Sequence, residues 1–144
     1  MLVHQILKSK NDDTVVTVKP GLTVGEAAQL LVERRIGAVV VSEDGAVPLG
    51  ILSERDIVRC LAGRGGGCLE LKVEELMTAD IVTCTRDDHV DEVLTKMTEG
   101  RFRHLPVVEG ERMVGLISIG DVVKARLSEL SMERDALQGM VMGF

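Results

Sequence analysis

Two short segments place a serine three residues ahead of an aspartate where an apolar, strand-like run gives way to a helical pattern: Ser53-Glu-Arg-Asp56 and Ser118-Ile-Gly-Asp121. Read from spacing alone, each is a helix N-cap followed by an acidic first-turn residue. The hydroxyl accepts from an N–H that the first turn cannot pair, and the carboxylate sits at the positive end of the helix dipole. Such a junction stabilises a helix with no ligand, although the same N–H groups and dipole also favour a phosphate. The other residues capable of chemistry are scattered. His4, His89 and His104 lack metal-ligand spacing, so no metal site is expected. Cys60, Cys68 and Cys84 are odd in number and show no C-x-x-C pattern, which suggests neither a disulfide framework nor a zinc knuckle and suits a reducing cytoplasm. Cys84, near an expected strand, is oxidisable if exposed. The run Gly63-Arg-Gly-Gly-Gly67 lacks the Lys-Ser/Thr of a phosphate loop and the strand before it; its composition reads as a flexible linker. No nucleophile–base pair, paired carboxylates or metal cluster can be assembled, and no catalytic residue is assigned.

The elements that carry the two junctions come in duplicate. Slid on itself by 66 positions, the chain sets Val24, Ala27, Ala28 and Leu31 onto Val90, Val93, Leu94 and Met97. Both sets follow the i, i+3, i+4, i+7 stripe of an amphipathic helix. Thr23 followed by Glu26 predicts a capping box for the first of these helices, and Asp88 is expected to start the second. Each is followed by a β-rich run, Ala38-Val-Val-Val-Ser42 or His104-Leu-Pro-Val-Val108, and a turn at Asp44-Gly45 or Glu109-Gly110. The strand that returns is the best match of all, Gly50-Ile-Leu-Ser53 against Gly115-Leu-Ile-Ser118, now offset by 65 because the second turn is one residue shorter. Each repeat therefore reads strand, helix, strand, strand, helix. A preamble repeats as well, Val3-His-Gln-Ile-Leu7 against Val73-Glu-Glu-Leu-Met77. The expected organisation is a first repeat over 3–62, a Gly-rich linker over 63–72, a second repeat over 73–130 and a helical tail over 131–144.

Composition narrows the partners. The chain has 144 residues, 45% hydrophobic but only 1% aromatic, so its core is aliphatic. The near absence of aromatic platforms and a net charge of −6 argue against nucleic acid. The N-terminus has no secretory-signal pattern and no apolar run approaches the roughly 18 residues of a membrane span; a cytoplasmic protein is expected.

Two copies of a Val-x-x-Leu-Met-Thr-like start, an apolar-Pro-Val-Val strand and a Gly-apolar-apolar-Ser-x-x-Asp junction resemble a tandem pair of cystathionine-β-synthase (CBS) domains, the Bateman module. The resemblance spans about residues 3 to 130. It implies a mixed α/β (α+β) fold in which two β-α-β-β-α repeats pack about a pseudo-two-fold axis with two clefts between them, and a further pairing into a homodimer. It also implies a stand-alone regulatory, energy-sensing module that requires no cofactor, binds AMP, ADP, ATP or another adenosine compound such as NAD(H) or S-adenosylmethionine, and acts on a protein target in trans.

In that family the aspartate of the junction binds the ribose, and each cleft joins the junction of one repeat to the base pocket of the other. Carried over, one cleft combines Thr78, Ile81, Val82, Phe102, Arg103 and His104 with Ser53, Arg55 and Asp56. The second combines Lys8, Val15, Val16, Ile36, Gly37 and Ala38 with Ser118, Gly120 and Asp121. The resemblance makes the first the better phosphate site, since Arg55 and Arg103 supply charge where the second has mainly Lys8. The competing reading is a ligand-free dimerisation module. It draws on the capping role of the junctions and on the tail, whose Met140, Val141, Met142 and Phe144 suit a dimer contact or partner groove, or else a helix folded back on its own module.

Overall fold

The computed structural model describes residues 1–10 and 15–143; Phe144 of the apolar tail lies outside them. In chain order the elements are α1 (Val3–Ser9), β1 (Thr17–Val18), α2 (Val24–Arg34), β2 (Ala38–Val41), β3 (Gly50–Ser53), α3 (Glu54–Arg64), a 3-10 helix (Gly65–Glu70), α4 (Val73–Leu76), α5 (Val90–Gly100), β4 (His104–Glu109), β5 (Arg112–Ser118) and α6 (Ile119–Val141). This is a mixed α/β fold of two β-α-β-β-α repeats, with one economy. The first strand of the second repeat shrinks to a single parallel bridge between Cys84 and Val107.

Packing divides the chain into two compact units that cut across the boundaries drawn from sequence. One gathers the described residues of 1–10, 83–107 and 115–143, the other those of 15–82 and 108–114. The preambles have changed places: α1, which precedes the first repeat, packs with the second, and α4 packs with the first.

In the unit built on the first repeat, the sheet runs β1-β2-β3. β1 is parallel to β2, and β2 is antiparallel to β3 with Ala38 opposite Ser53 and Val41 opposite Gly50. All four residues of β2 are buried, as befits a central strand covered on both faces. Val24, Ala27 and Leu31 of α2 pack with Val39, Val41, Leu52 and Ile57 in one core cluster. Thr23 caps α2 as expected, its hydroxyl accepting from the Glu26 amide at 3.1 Å. The turn glycine Gly45 has φ +78° and its counterpart Gly110 +66°, values at which a side chain is strained. The glycine run behaves differently from its composition. Gly65–Gly67 open the 3-10 helix, and Cys68 behind them is fully buried in the core. One buried anchor outweighs the freedom of three glycines.

The other unit buries Val90, Val93 and Met97 of α5, Val3 and Ile6 of α1, and Leu105, Val107, Ile117 and Val122. α5 starts one residue later than Asp88 predicted. His89 is the N-cap, because the Asp88 carboxylate is spent closing the preceding turn, where it accepts from the Thr85 amide at 2.9 Å. The tail does not fold back. It continues α6 without a break to Val141, leaving Leu137 61%, Met140 75% and Val141 86% exposed.

Candidate functional site

The two Ser-x-x-Asp junctions are built alike from the backbone outward. At the β3–α3 junction the Ser53 hydroxyl accepts from the Asp56 amide at 3.4 Å. In return, Asp56 Oδ2 accepts from the Ser53 amide at 2.9 Å and from its hydroxyl at 3.0 Å. At the β5–α6 junction the Asp121 amide donates to Ser118 Oγ at 3.2 Å and the Ser118 amide to Asp121 Oδ2 at 2.9 Å. Both are complete capping boxes, each satisfying donors that the first helical turn leaves over. Each helix is also stitched to the strand before its hairpin: Glu54 N–H donates to the Gly37 carbonyl at 2.9 Å, and Ile119 N–H to that of Arg103 at 2.8 Å. In both boxes the bonds to the carboxylate fall on Oδ2. The Oδ1 oxygen takes part in none of them.

The duplicated glycine ahead of each serine has a steric reason. A Cβ on Gly50 would lie 2.5 Å from Met77 Sδ, and one on Gly115 would lie 2.7 Å from Leu7 Cδ2. Each preamble therefore ends by laying its last apolar side chain on that glycine. The Gly50 contact brings the next residue, Thr78, onto β3, where it exchanges backbone hydrogen bonds of 3.0 and 2.9 Å with Ile51.

Within the first-repeat unit the structure thus gathers Ser53, Arg55, Asp56 and Thr78, with Gly37 and Ala38 beside the start of α3. Arg55 is exposed, and Val15, Val16, Ile36, Ile81 and Val82 are half-buried. The other unit holds Ser118, Gly120, Asp121, Phe102, Arg103, His104 and Lys8. Phe102 is positioned by Gly100, where a Cβ would fall 2.2 Å from the ring. Lys8, expected as the main cation of the Asp121 site, is exposed on α1. The ammonium that reaches the carboxylate belongs to Lys10, 3.0 Å from Asp121 Oδ2 and 2.9 Å from the Leu116 carbonyl. Sequence reasoning missed it because the contact spans 111 positions. Burial raises the pKa of Asp121, but the Ser118 amide and Lys10 outweigh it and hold the carboxyl below its ordinary value. Beside this pair opens a cavity of about 360 Å³ whose polar lining comprises Gln5, Ser9, Lys10, Asp121, Lys124 and Ser128.

The cysteines offer little. Cys84 is 2% exposed and burial pushes its thiol up to about 12, which removes the condition on which it was considered oxidisable. Among the described residues no His, Cys, Asp or Glu group is arranged to hold a metal, and no helix is long and apolar enough to cross a membrane.

Comparison with known proteins places this architecture. The CBS-domain family model matches the chain twice, at residues 10–63 and 73–128. The crystal structure of a CBS-domain containing protein from Agrobacterium tumefaciens is 46% identical, with a TM-score of 0.82, covering 88% of this chain and 99% of that one. A CBS domain protein from Pyrobaculum aerophilum, solved complexed with AMP, is 27% identical with a TM-score of 0.78, over 92% and 99% of the two chains. A CBS domain pair solved in complex with 5′-methylthioadenosine and S-adenosyl-L-methionine is 28% identical with a TM-score of 0.76, over 90% and 98%.

Proposed function

The chain belongs to the CBS-domain family, and from that premise we propose that it is a cytoplasmic regulatory module that binds adenosine nucleotides and acts on a partner protein in trans rather than catalysing a reaction. One observation carries the reading: both capping boxes spend only one oxygen of the aspartate, so Asp56 and Asp121 each keep Oδ1 for the hydroxyls of a ribose. The helix N-terminus beside each favours the phosphate that follows. The ligands of the two similar structures, AMP in one and methylthioadenosine with S-adenosylmethionine in the other, support an adenosyl compound. In this reading Ser53, Arg55 and Asp56, and Ser118, Gly120 and Asp121, hold ribose and phosphate. Thr78, Ile81, Val82, Phe102, Arg103 and His104, and Lys8, Val15, Val16, Ile36, Gly37 and Ala38, supply the base pockets.

Titration calorimetry with AMP, ATP, NADH and S-adenosylmethionine tests this. Asp56→Ala and Asp121→Ala should each remove one site. A ligand at about 100 times its Kd stabilises the folded chain by about 2.7 kcal/mol, so thermal shifts should grow with concentration. No stabilisation by any adenosyl compound would refute the reading.

A second reading, a homodimerisation module, is favoured by α6. Val123, Leu127, Leu130, Leu137 and Val141 are exposed at spacings of four, three, seven and four residues, a helix-pairing seam interrupted at Arg134. Both readings hold together if the dimer also binds nucleotide. Sedimentation of the full chain and of a chain ending at Glu129 separates them: the truncated chain should be a monomer that still binds.

A further inference from the structure

Lys10 occupies a place that its counterpart in the second repeat cannot imitate. The preambles align with Val3 on Val73 and Leu7 on Met77, and the packing of Leu7 on Gly115 and of Met77 on Gly50 fixes that alignment in space. Lys10 then corresponds to Asp80. The two junctions, otherwise duplicates, thus have opposite charges at equivalent positions. Lys10 stands on Asp121, whereas no cation among the described residues stands on Asp56.

Lys10 is also held where it is needed. α1 is tied down at its start by the Val3 and His4 amides, which donate to the Asp88 and Arg86 carbonyls at 2.9 and 3.0 Å. At its end Leu7 lies on Gly115, and the chain leaves the helix at Lys10 in extended conformation. An ammonium has three donors. Two are spent on the Leu116 carbonyl and Asp121 Oδ2, and the third is taken by no other acceptor among the described residues. The cavity beside the pair is lined by the Lys10 and Lys124 side chains, by the Asp121 carboxylate and by Met1, whose N-terminal ammonium is paired with Glu129. It is a positive spot on a chain of net charge −6, and its volume of about 360 Å³ lies in the range of small-molecule pockets.

Resting on the reading that Asp121 holds a ribose, we propose that Lys10 makes the Asp121 site select phosphorylated over unphosphorylated adenosyl compounds. In the structure its ammonium neutralises the carboxylate. When ribose hydroxyls bond to the carboxylate, the ammonium turns its donors to the ligand's phosphate. An unphosphorylated ligand offers no such acceptor and still has to share Asp121 with Lys10.

The test is calorimetry on the full chain carrying Asp56→Ala, so that one site is read, with AMP and adenosine as paired probes. Lys10→Met should weaken AMP by about tenfold to a hundredfold, the worth of one bond between charged groups, while adenosine binds as well as before or more tightly. Lys10→Arg should restore the preference for AMP. Equal affinity of the parent site for AMP and adenosine, or an equal loss of both in Lys10→Met, overturns the inference and leaves the adenosyl reading standing. Absence of binding by AMP and adenosine to the wild-type chain overturns the inference, and absence of binding by ATP, NADH and S-adenosylmethionine as well overturns both.

Discussion

Removing the two junction aspartates should not cost the same, although sequence makes them equivalent. Asp56→Ala deletes the acceptor of the Ser53 amide and hydroxyl and an acidic group at a helix start, together about 1 to 1.5 kcal/mol. Asp121→Ala deletes the matching cap and also leaves Lys10, whose side chain is 29% exposed, with the Leu116 carbonyl alone. A half-buried ion pair of this kind adds about 1 kcal/mol. The expected difference is therefore about 1 kcal/mol, or about 3 °C in Tm for a chain of this size. Its pH dependence has a definite sign. The folded-state pKa of Asp121 is depressed below 3.8, so its stabilisation is fully present above about pH 4 and is lost as pH falls through the depressed value. Urea unfolding followed by circular dichroism at pH 7 and at about pH 2.5 should show the gap at the first and its narrowing at the second. A double-mutant cycle of Lys10→Met with Asp121→Ala should return a coupling of about 1 kcal/mol at pH 7. Equal costs at neutral pH, or a gap that persists undiminished in acid, would refute the assignment of the extra stability to the ion pair.

The duplicated glycines should also part company. Gly50→Ala places a Cβ 2.9 Å from the Thr78 carbonyl oxygen as well as on Met77, and the backbone cannot swing aside, so a loss of about 2 kcal/mol is expected. Gly115→Ala meets only Leu7, a movable side-chain end, and alanine recovers about 0.4 to 1 kcal/mol through the unfolded state. Its Tm should stay near wild type, and a larger loss at Gly115 than at Gly50 would contradict the steric argument. Burial pushes Cys84 up to about 12 and Cys68, with the Cys60 thiol beside it, up to about 11. A thiol reagent at pH 8 should therefore label at most one cysteine per native chain, counted by mass spectrometry. Above about pH 9 the unfolded thiols ionise first, so stability should fall as pH rises, by up to about 1.4 kcal/mol per thiol per pH unit; Cys84→Ala should flatten that slope.

What the sequence made legible was local and periodic. Of the expected stripes, Val24, Ala27, Leu31 and Val90, Val93, Met97 are buried and Ala28 and Leu94 half-buried at their edges, because helix period and burial are one signal. The serine boxes form because cap and carboxylate are only three residues apart. Competition for partners, near and far along the chain, decided the rest. Asp88 lost the cap position to His89 because the Thr85 amide was a nearer donor for its carboxylate. The glycine run is helical because Cys68 is pinned in the core. Lys10 meets Asp121 only because α1 packs with the second repeat rather than with the first, which it introduces. The trace of that meeting was nevertheless present in the sequence, as a lysine and an aspartate at equivalent positions of two otherwise matching preambles.

Spacing alone sets the two readings of Ser-x-x-Asp against each other, as though a carboxylate engaged as a cap were unavailable to a ligand. The geometry dissolves the opposition. The box bonds converge on one oxygen, Oδ2, and a second oxygen is left over at each junction. Capping also orients that second oxygen, since the Ser53 and Ser118 amides belong to the end of a strand and hold the carboxylate against rotation. A ligand that bonds to it therefore meets an acceptor whose entropy of ordering has already been lost in folding. The helix start need not unravel for binding to occur, and Ser53→Ala and Ser118→Ala, which keep the amide bonds to Oδ2, should leave the aspartate oriented and weaken a ligand by removing the hydroxyl. The capping box is the device that prepares the site.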